Sequence, residues 1–140
     1  MILDYKYQIL VEGDPTIWNN LAEDIQKKYE VNVIKPPAVV LVMMRAKESV
    51  EELTFNVGDI LITECVVEIN SQRGWGYIIG DKPQLALSIA IIDAAINAKL
   101  PIVEKIIPLF AQQYREISKK KLEEFCLVKT SMVEFEEMEG

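Results

Sequence analysis

Histidine is absent from this sequence of 140 residues. Its absence excludes Ser-His-Asp and Cys-His nucleophile arrangements and any histidine general base. It also excludes most zinc and redox-metal sites, because imidazole is their commonest ligand. Catalysis by this chain would therefore depend on carboxylates, lysine, tyrosine or a residue borrowed from a partner.

Cysteine is scarce as well, and no nucleotide or metal motif is present. Cys65 and Cys126 are far apart in the sequence, so they form neither a zinc-ligand spacing nor a disulfide framework. Both lie among apolar neighbours, which is typical of buried, unreactive thiols. GxxxxGK[ST], GxGxxG, CxxC and HExxH are all missing. The residues therefore predict no catalytic, cofactor-binding or metal-binding site.

The sequence also lacks an excess of positive charge and any long apolar run. A net charge of -7 argues against nucleic-acid binding, which needs a basic surface. No apolar run approaches the roughly 20 residues that span a bilayer. The opening MILDYKYQIL has no basic region like that of a signal peptide. We therefore expect a cytoplasmic protein that binds neither membranes nor nucleic acid.

What the sequence does contain is an apolar surplus. Apolar residues make up 50% of the chain without counting glycine, whereas the usual share of about 45–50% includes glycine. Part of this surplus is expected on the surface, where an apolar area needs a partner to cover it.

Three segments rich in Val, Ile, Thr and aromatics organise the chain: residues 39–45, 60–69 and 75–79. The short loop 70–74 predicts that the second and third segments pair as a hairpin. The second is apolar on both faces, which predicts a central strand. We predict a single α+β domain over residues 1–140, with an antiparallel sheet of about four or five strands packed by three main helices.

The first two helices have recognisable starts. Asp14 and the following proline begin the first helix, where Trp18 is the expected core anchor. Asp81 is expected to cap the second helix. Residues 85–98 of that helix are apolar almost all round, which predicts burial on more than one side by the sheet and by another subunit.

The C-terminal part of the chain predicts a third helix over residues 109–125, with its start set by Pro108. Its basic run, residues 119–121, either contacts an anion or is a solvated helix end. Residues 128–135 predict a final strand.

Six residues are candidates for ligand or partner contacts. Asp93 is the only charge in the second helix, so a hydrogen bond or ion pair would explain it, with a functional carboxylate as the alternative. Arg45 could contact a phosphate or pair with Asp93 or Asp59. Trp75 and Tyr77 share a strand face that is either core or interface. The six candidates are Arg45, Asn56, Asp59, Trp75, Tyr77 and Asp93.

A family resemblance rests on several short segments in a fixed order. They resemble the PhnG-type subunit of the carbon–phosphorus lyase core complex of phosphonate metabolism, and the similarity spans roughly residues 14–140. The segments are VLVMMRA at 40–46, FNVGD at 55–59, TEC at 63–65, GYIIGD at 76–81, IDAA at 92–95 and TSMVEF at 130–135.

The resemblance implies an accessory subunit of a transferase complex without catalytic residues of its own. In that family the PhnG-type protein associates with PhnH-, PhnI- and PhnJ-type subunits, and the chemistry is attributed to the PhnI-type and PhnJ-type subunits. The complex joins an alkylphosphonate to the ribose C1 of ATP, releases adenine and forms an alkylphosphonate ribose 5-triphosphate. No cofactor is expected on this chain, and in isolation it could form a homodimer.

Two alternatives remain open at this stage. One is a free-standing small-molecule binder or enzyme that uses Arg45, Asp59 and Asp93, which would then converge in a pocket. The other is a structural homodimer module with the hairpin or the helix 85–98 as its seam.

Overall fold

The computed structural model describes residues 2–47 and 54–139 and divides the chain into two compact units. One unit is Asp14–Val103, and the other combines residues 1–13 with residues 104–140. Helices and an antiparallel sheet are both present, which confirms the α+β class. The described elements are a 3-10 helix Ile2–Tyr5, α1 Lys6–Glu12, α2 Pro15–Lys28, β1 Asn32–Lys47, β2 Thr54–Ile69, β3 Gln72–Ile79, α3 Pro83–Asn97 and α4 Val103–Glu139.

The sheet contains three antiparallel strands in the order β1-β2-β3 within the described part of the chain. The central position of β2 was predicted correctly, whereas the expected four or five strands were too many. Strand β1 begins at Asn32, before the first of the three predicted segments. Residues 128–135 belong to α4, because strong helix formers on both sides let the helix continue through them.

The predicted hairpin between β2 and β3 is confirmed. Ile69 pairs with Gln72, and the two residues between them, Asn70 and Ser71, have φ angles of 49° and 65°. Two consecutive positive φ angles are the geometry that matches the twist of an antiparallel pair. The turn therefore sets the register of the whole β2–β3 ladder.

Helix α3 packs against one face of the sheet at very short distance. Gly74 and Gly76 of β3 have no side chain, and a Cβ at either position would collide with the α3 backbone at Ala86, Ala90 or Ala94. Both glycines lie within β3, so the strand itself makes this close approach. Small residues on both elements allow this contact, because larger ones would hold the backbones apart.

Helix α2 covers α3 from another side. Trp18 is fully buried, as predicted, and Ser88 Oγ donates a hydrogen bond of 2.7 Å to Asn19 Oδ1 across the two helices. The side chain of Asp14 accepts from the amide of Thr16 and caps α2. The sheet and α2 thus account for the apolar character of α3 on two sides.

The predicted cap of α3 was wrong. Lys82, not Asp81, occupies the N-cap position and makes no side-chain cap bond. The amide of Lys82 donates instead to Thr63 Oγ1 at 2.9 Å, and that hydroxyl donates to the carbonyl of Gly80 at 2.5 Å. Gly80, with a φ of 98°, turns the chain so that β2 supplies the partner that a local cap would otherwise provide.

We expect the Thr63→Val substitution to lower the free energy of unfolding by about 1–3 kcal/mol, because it leaves two backbone groups without their buried partner. Thr63 is fully buried, so water cannot replace the hydroxyl. Hydrogen exchange of the Lys82 amide should accelerate in Thr63→Val and stay slow in Thr63→Ser, which keeps the hydroxyl. Equal exchange in both variants would contradict this role.

The second unit is built from α1 and α4. The rings of Tyr5 and Tyr114 lie 5.3 Å apart, and Lys121 Nζ lies 3.1 Å from a carboxylate oxygen of Glu12. Helix α4 begins at Val103, so the prediction that Pro108 would set its start was wrong. A proline this close to a helix start removes one backbone hydrogen bond without ending the helix.

Candidate docking surface

The face of the sheet that points away from α3 is the main exposed apolar surface of the first unit. Successive residues of a strand point to opposite faces of the sheet. In β3, Gly74, Gly76 and Ile78 face α3, and the residues between them face outward. The cross-strand register extends this outer face over all three strands. Its apolar members are Val40, Val42, Ile60, Ile62, Val66, Trp75, Tyr77 and Ile79.

Large side chains on this outer face are open to solvent. Trp75 is 37% exposed, Tyr77 48% and Ile79 64%. Ile62 pairs with Ile79 and Val66 pairs with Trp75, so the exposed side chains form one continuous patch. A continuous apolar patch with two aromatics is typical of a protein–protein interface.

Charged side chains lie in the middle and at one end of the outer face. Lys35 forms an ion pair with Glu64, which lies between Ile62 and Val66 on β2 and opposite Tyr77. Glu68 pairs in register with Arg73 at one end, whereas the other end, around Ile62 and Ile79, is apolar. The apolar side chains are therefore continuous along β3, and the charged groups beside them would fix the orientation of a partner.

The first two strands continue beyond β3 as a two-stranded arm, formed by residues 41–47 and 54–61. The ladder with β3 ends at Ile62, so the arm has no third strand among the described residues. Leu41 and Leu61, paired in register, are 63% and 50% exposed. Because a two-stranded ribbon is marginally stable in water, an exposed apolar arm gains most from a partner that covers it.

Asp93 lies beneath the sheet and ties α3 to the edge of β3. It is fully buried, and its Oδ2 accepts a hydrogen bond of 3.0 Å from the amide of Trp75. Asn97, one turn further, donates 2.7 Å to the carbonyl of Arg73 and also reaches Asp93 Oδ2 at 3.5 Å. The hydrogen bond from the Trp75 amide gives the buried Asp93 carboxylate a backbone partner. Such a partner is one of the two explanations that the sequence left open for this residue.

The six candidate residues separate into three places. Trp75 and Tyr77 lie on the outer face, and Asp93 lies under β3. Arg45 and Asn56 are paired in register in the arm. Asp59 pairs with Met43 in the same arm and is exposed.

Asp59 and Asp93 lie too far apart to line one pocket. Asp93 binds the amide of Trp75, which pairs with Val66, and Asp59 is seven positions before Val66 on β2. At a rise of about 3.3 Å per residue, the separation is roughly 20 Å. A substrate of ordinary size cannot contact both carboxylates, so the geometry gives no support to a small-molecule site built from these three residues.

A cleft of about 240 Å³ lies in the second unit. Its lining is charge-balanced, with two lysines and two glutamates, and Lys121 is paired with Glu12. The cleft therefore has no excess positive charge to hold an anion, and the geometry favours a solvated helix surface for the basic run. The lining residues are Glu12, Ile117, Lys120, Lys121 and Glu124.

Cys65 lies on the buried face of β2, and its burial makes the thiol unreactive. Burial disfavours the thiolate and raises the pKa of Cys65 from 9.0 to about 11. Below pH 9 both the folded and the unfolded chain keep this proton. Between pH 9 and pH 11 only the unfolded chain loses it, so this thiol makes stability fall as the pH rises through that range.

We therefore expect a Cys126→Ser variant to show no reaction of Cys65 with a thiol-disulfide reagent at pH 8 while folded. Unfolding in guanidinium should release one thiol per chain. Reaction of the folded variant at the rate of a free thiol would contradict the burial of Cys65.

Sequence reasoning missed three residues with clear structural roles: Thr63, Ser88 and Asn97. Each is a polar residue in a buried or partly buried position, and each bonds a group on another element. An isolated polar residue within an apolar run is the available signal. Its partner depends on which elements pack together, which periodicity does not reveal.

No group of histidine, cysteine or carboxylate side chains suited to a metal ion occurs among the described residues. In the same residues, no helix is both long and apolar enough to cross a membrane.

Comparison with known proteins identifies the family of this chain. No match to a curated protein was found. The model of one protein family, described as phosphonate metabolism protein PhnG, matches residues 5–140. The match covers nearly the whole chain, including the sheet, the arm and α3, and therefore includes every element that forms the candidate docking surface. The chain belongs to the PhnG family of phosphonate metabolism proteins.

Proposed function

We propose that this chain is a non-catalytic subunit of the carbon–phosphorus lyase core complex. It acts with PhnH-, PhnI- and PhnJ-type subunits in a transferase complex that forms alkylphosphonate ribose 5-triphosphate from ATP and an alkylphosphonate. The observation that carries the proposal is the continuous apolar outer face of the sheet, which includes Trp75 and Tyr77 and is bare in the single chain.

The composition of this face favours docking of a partner protein. Two large aromatics beside aliphatic side chains provide the kind of anchor that dominates binding energy at protein interfaces. In the arm, Val42 and Ile60 pair in register and continue the outer face beyond Ile62. A partner that covers the patch and this continuation would bury apolar surface that otherwise costs stability and solubility.

The chemistry of the chain supports a role without catalysis. The sequence has no histidine, and its candidate charged residues lie apart. Bond breaking at a glycosidic carbon or at a carbon–phosphorus bond would therefore be the work of the partner subunits. In this proposal the chain contributes by holding those subunits in position.

Co-expression of the chain with the three partner subunits tests the proposal. We expect a tagged chain to purify with them as one complex, and we expect that complex to release adenine from ATP when an alkylphosphonate is present. Omission of this chain should lower the yield of assembled complex and its activity together. Failure of all three partners to purify with the chain would overturn the proposal.

A second arm of the experiment separates assembly from catalysis. The purified chain alone should release no adenine from ATP and alkylphosphonate. Turnover by the chain alone would show that it is catalytic and would contradict the accessory role, even if a complex forms.

A further inference from the structure

Trp75, the largest side chain of the outer face, is attached to the sheet at an intrinsically flexible point of the backbone. Gly74 precedes it and Gly76 follows it, and glycine has the widest conformational freedom of any residue. The close approach of α3 requires both glycines, so larger residues cannot replace them to stiffen the strand. The backbone at Trp75 is therefore held by contacts other than those of its two neighbours.

The ladder between β2 and β3 does not supply these contacts. The amide of Gly80 donates to the carbonyl of Leu61 on β2 at 2.8 Å, and alternate residues of an antiparallel strand direct their backbone groups to opposite sides. The backbone groups of Trp75, five positions before Gly80, therefore point away from β2. Strand β3 is at the edge of the described sheet, so a further strand does not bind them in this part of the chain.

Helix α3 supplies two bonds at this place. Asp93 Oδ2 accepts from the amide of Trp75 at 3.0 Å, and Asn97 Nδ2 donates to the carbonyl of Arg73 at 2.7 Å. The two side chains are one helical turn apart and also approach each other at 3.5 Å. Together they form a clamp that holds the backbone on both sides of Gly74. An added strand would satisfy the same two groups with its own backbone.

We propose that Asp93 and Asn97 are positioning residues for docking, because their clamp fixes the side chain of Trp75 on the outer face in the orientation that a partner subunit binds. This inference rests on the proposed function, since it assigns a role within docking through the outer face. Asp93 is fully buried, and a hydrogen bond from an amide to a carboxylate is stronger than one between neutral groups. An anchor that is ordered before binding loses less conformational entropy on binding, which raises the affinity.

Hydrogen exchange of the free chain tests the clamp without any partner. In Asn97→Ala, which places a good helix former at the end of α3, we expect the Trp75 amide to exchange about tenfold faster than in the wild-type chain. The amide of Ile78, which points to β2 near the other end of β3, should exchange at an unchanged rate because the fold is intact. An unchanged rate at Trp75, or an equal acceleration at Ile78, would contradict a local clamp.

Titration of the labelled chain with the assembled PhnH-, PhnI- and PhnJ-type subunits tests the role in docking. We expect Asn97→Ala to weaken binding about fivefold. In a chain that already carries Trp75→Ala, the same substitution should change the affinity by less than about twofold, since a clamp acts through the side chain that it positions. Equal losses in both backgrounds would show a structural role alone and overturn the inference.

Asn20→Ala is the matched control for this titration, because it removes an exposed asparagine from α2 and should leave the affinity unchanged. The outcomes also separate this inference from the proposed function. If the wild-type chain binds and Asn97→Ala binds equally well, the inference is wrong and the proposed function stands. If the wild-type chain binds none of the partner subunits, the proposed function fails, and the docking role of the clamp fails with it.

Discussion

The Gly76→Ala substitution is expected to lower the free energy of unfolding by about 3 kcal/mol or more. A Cβ at this position would overlap the carbonyl of Ala86 and lie 2.9 Å from the amide nitrogen of Ala90. Both contacts are with helix backbone, which cannot rotate away as a side chain can. The helix must therefore shift from the sheet, and contacts along its whole length weaken. Urea unfolding monitored by circular dichroism measures the change.

Gly58→Ala is the matched control for this prediction. Gly58 has a φ of 145°, but no atom lies within 4 Å of the Cβ position. Its substitution should cost only the backbone strain, about 1–2 kcal/mol. If Gly76→Ala is no more destabilising than Gly58→Ala, the contact between β3 and α3 is looser than the structure shows.

The Trp75→Ala substitution is expected to weaken binding of the partner subunits by about 30-fold or more, which corresponds to roughly 2 kcal/mol at an interface anchor. Trp75 lies on the outer face, and its side chain is 37% exposed. Its backbone amide bond to Asp93 does not depend on the side chain. The fold should therefore survive while docking fails. Titration of the labelled chain with the assembled partner subunits measures the affinity.

Tyr7→Ala is the control, because it removes an exposed aromatic that is not on the sheet. Tyr7 lies on α1 and is 47% exposed. We expect its removal to change affinity by less than about threefold. Equal losses from both variants would mean that the outer face is not the specific docking surface.

Periodicity and turn chemistry were enough to predict much of the first unit. The apolar residues on both faces of β2 identified it as central, the loop after Ile69 identified the hairpin, and Asp14 identified the start of α2. Each of these signals is local, because it depends on residues that are neighbours in sequence or one turn apart. The burial of Trp18 followed from the same kind of pattern.

Other features depend on residues that are distant in sequence. Asp81 has the chemistry of a cap, yet Thr63 bonds the start of α3 because the chain turns at Gly80 and brings β2 beside it. Residues 128–135 have strand-forming composition, yet they continue α4. In both cases a local preference of about 1 kcal/mol was overruled by neighbouring structure.

The sequence by itself determined that this protein has no histidine chemistry, that it forms an α+β fold, and that it has more apolar residues than its own core requires. Those properties follow from composition and short-range spacing. Only the tertiary structure decided that the surplus of apolar residues lies on one face of the sheet and in the arm. It also decided that Asp93 accepts a hydrogen bond from the amide of Trp75 on β3. Such placement depends on which surfaces α3 covers, and that is set by backbone contact at two glycines.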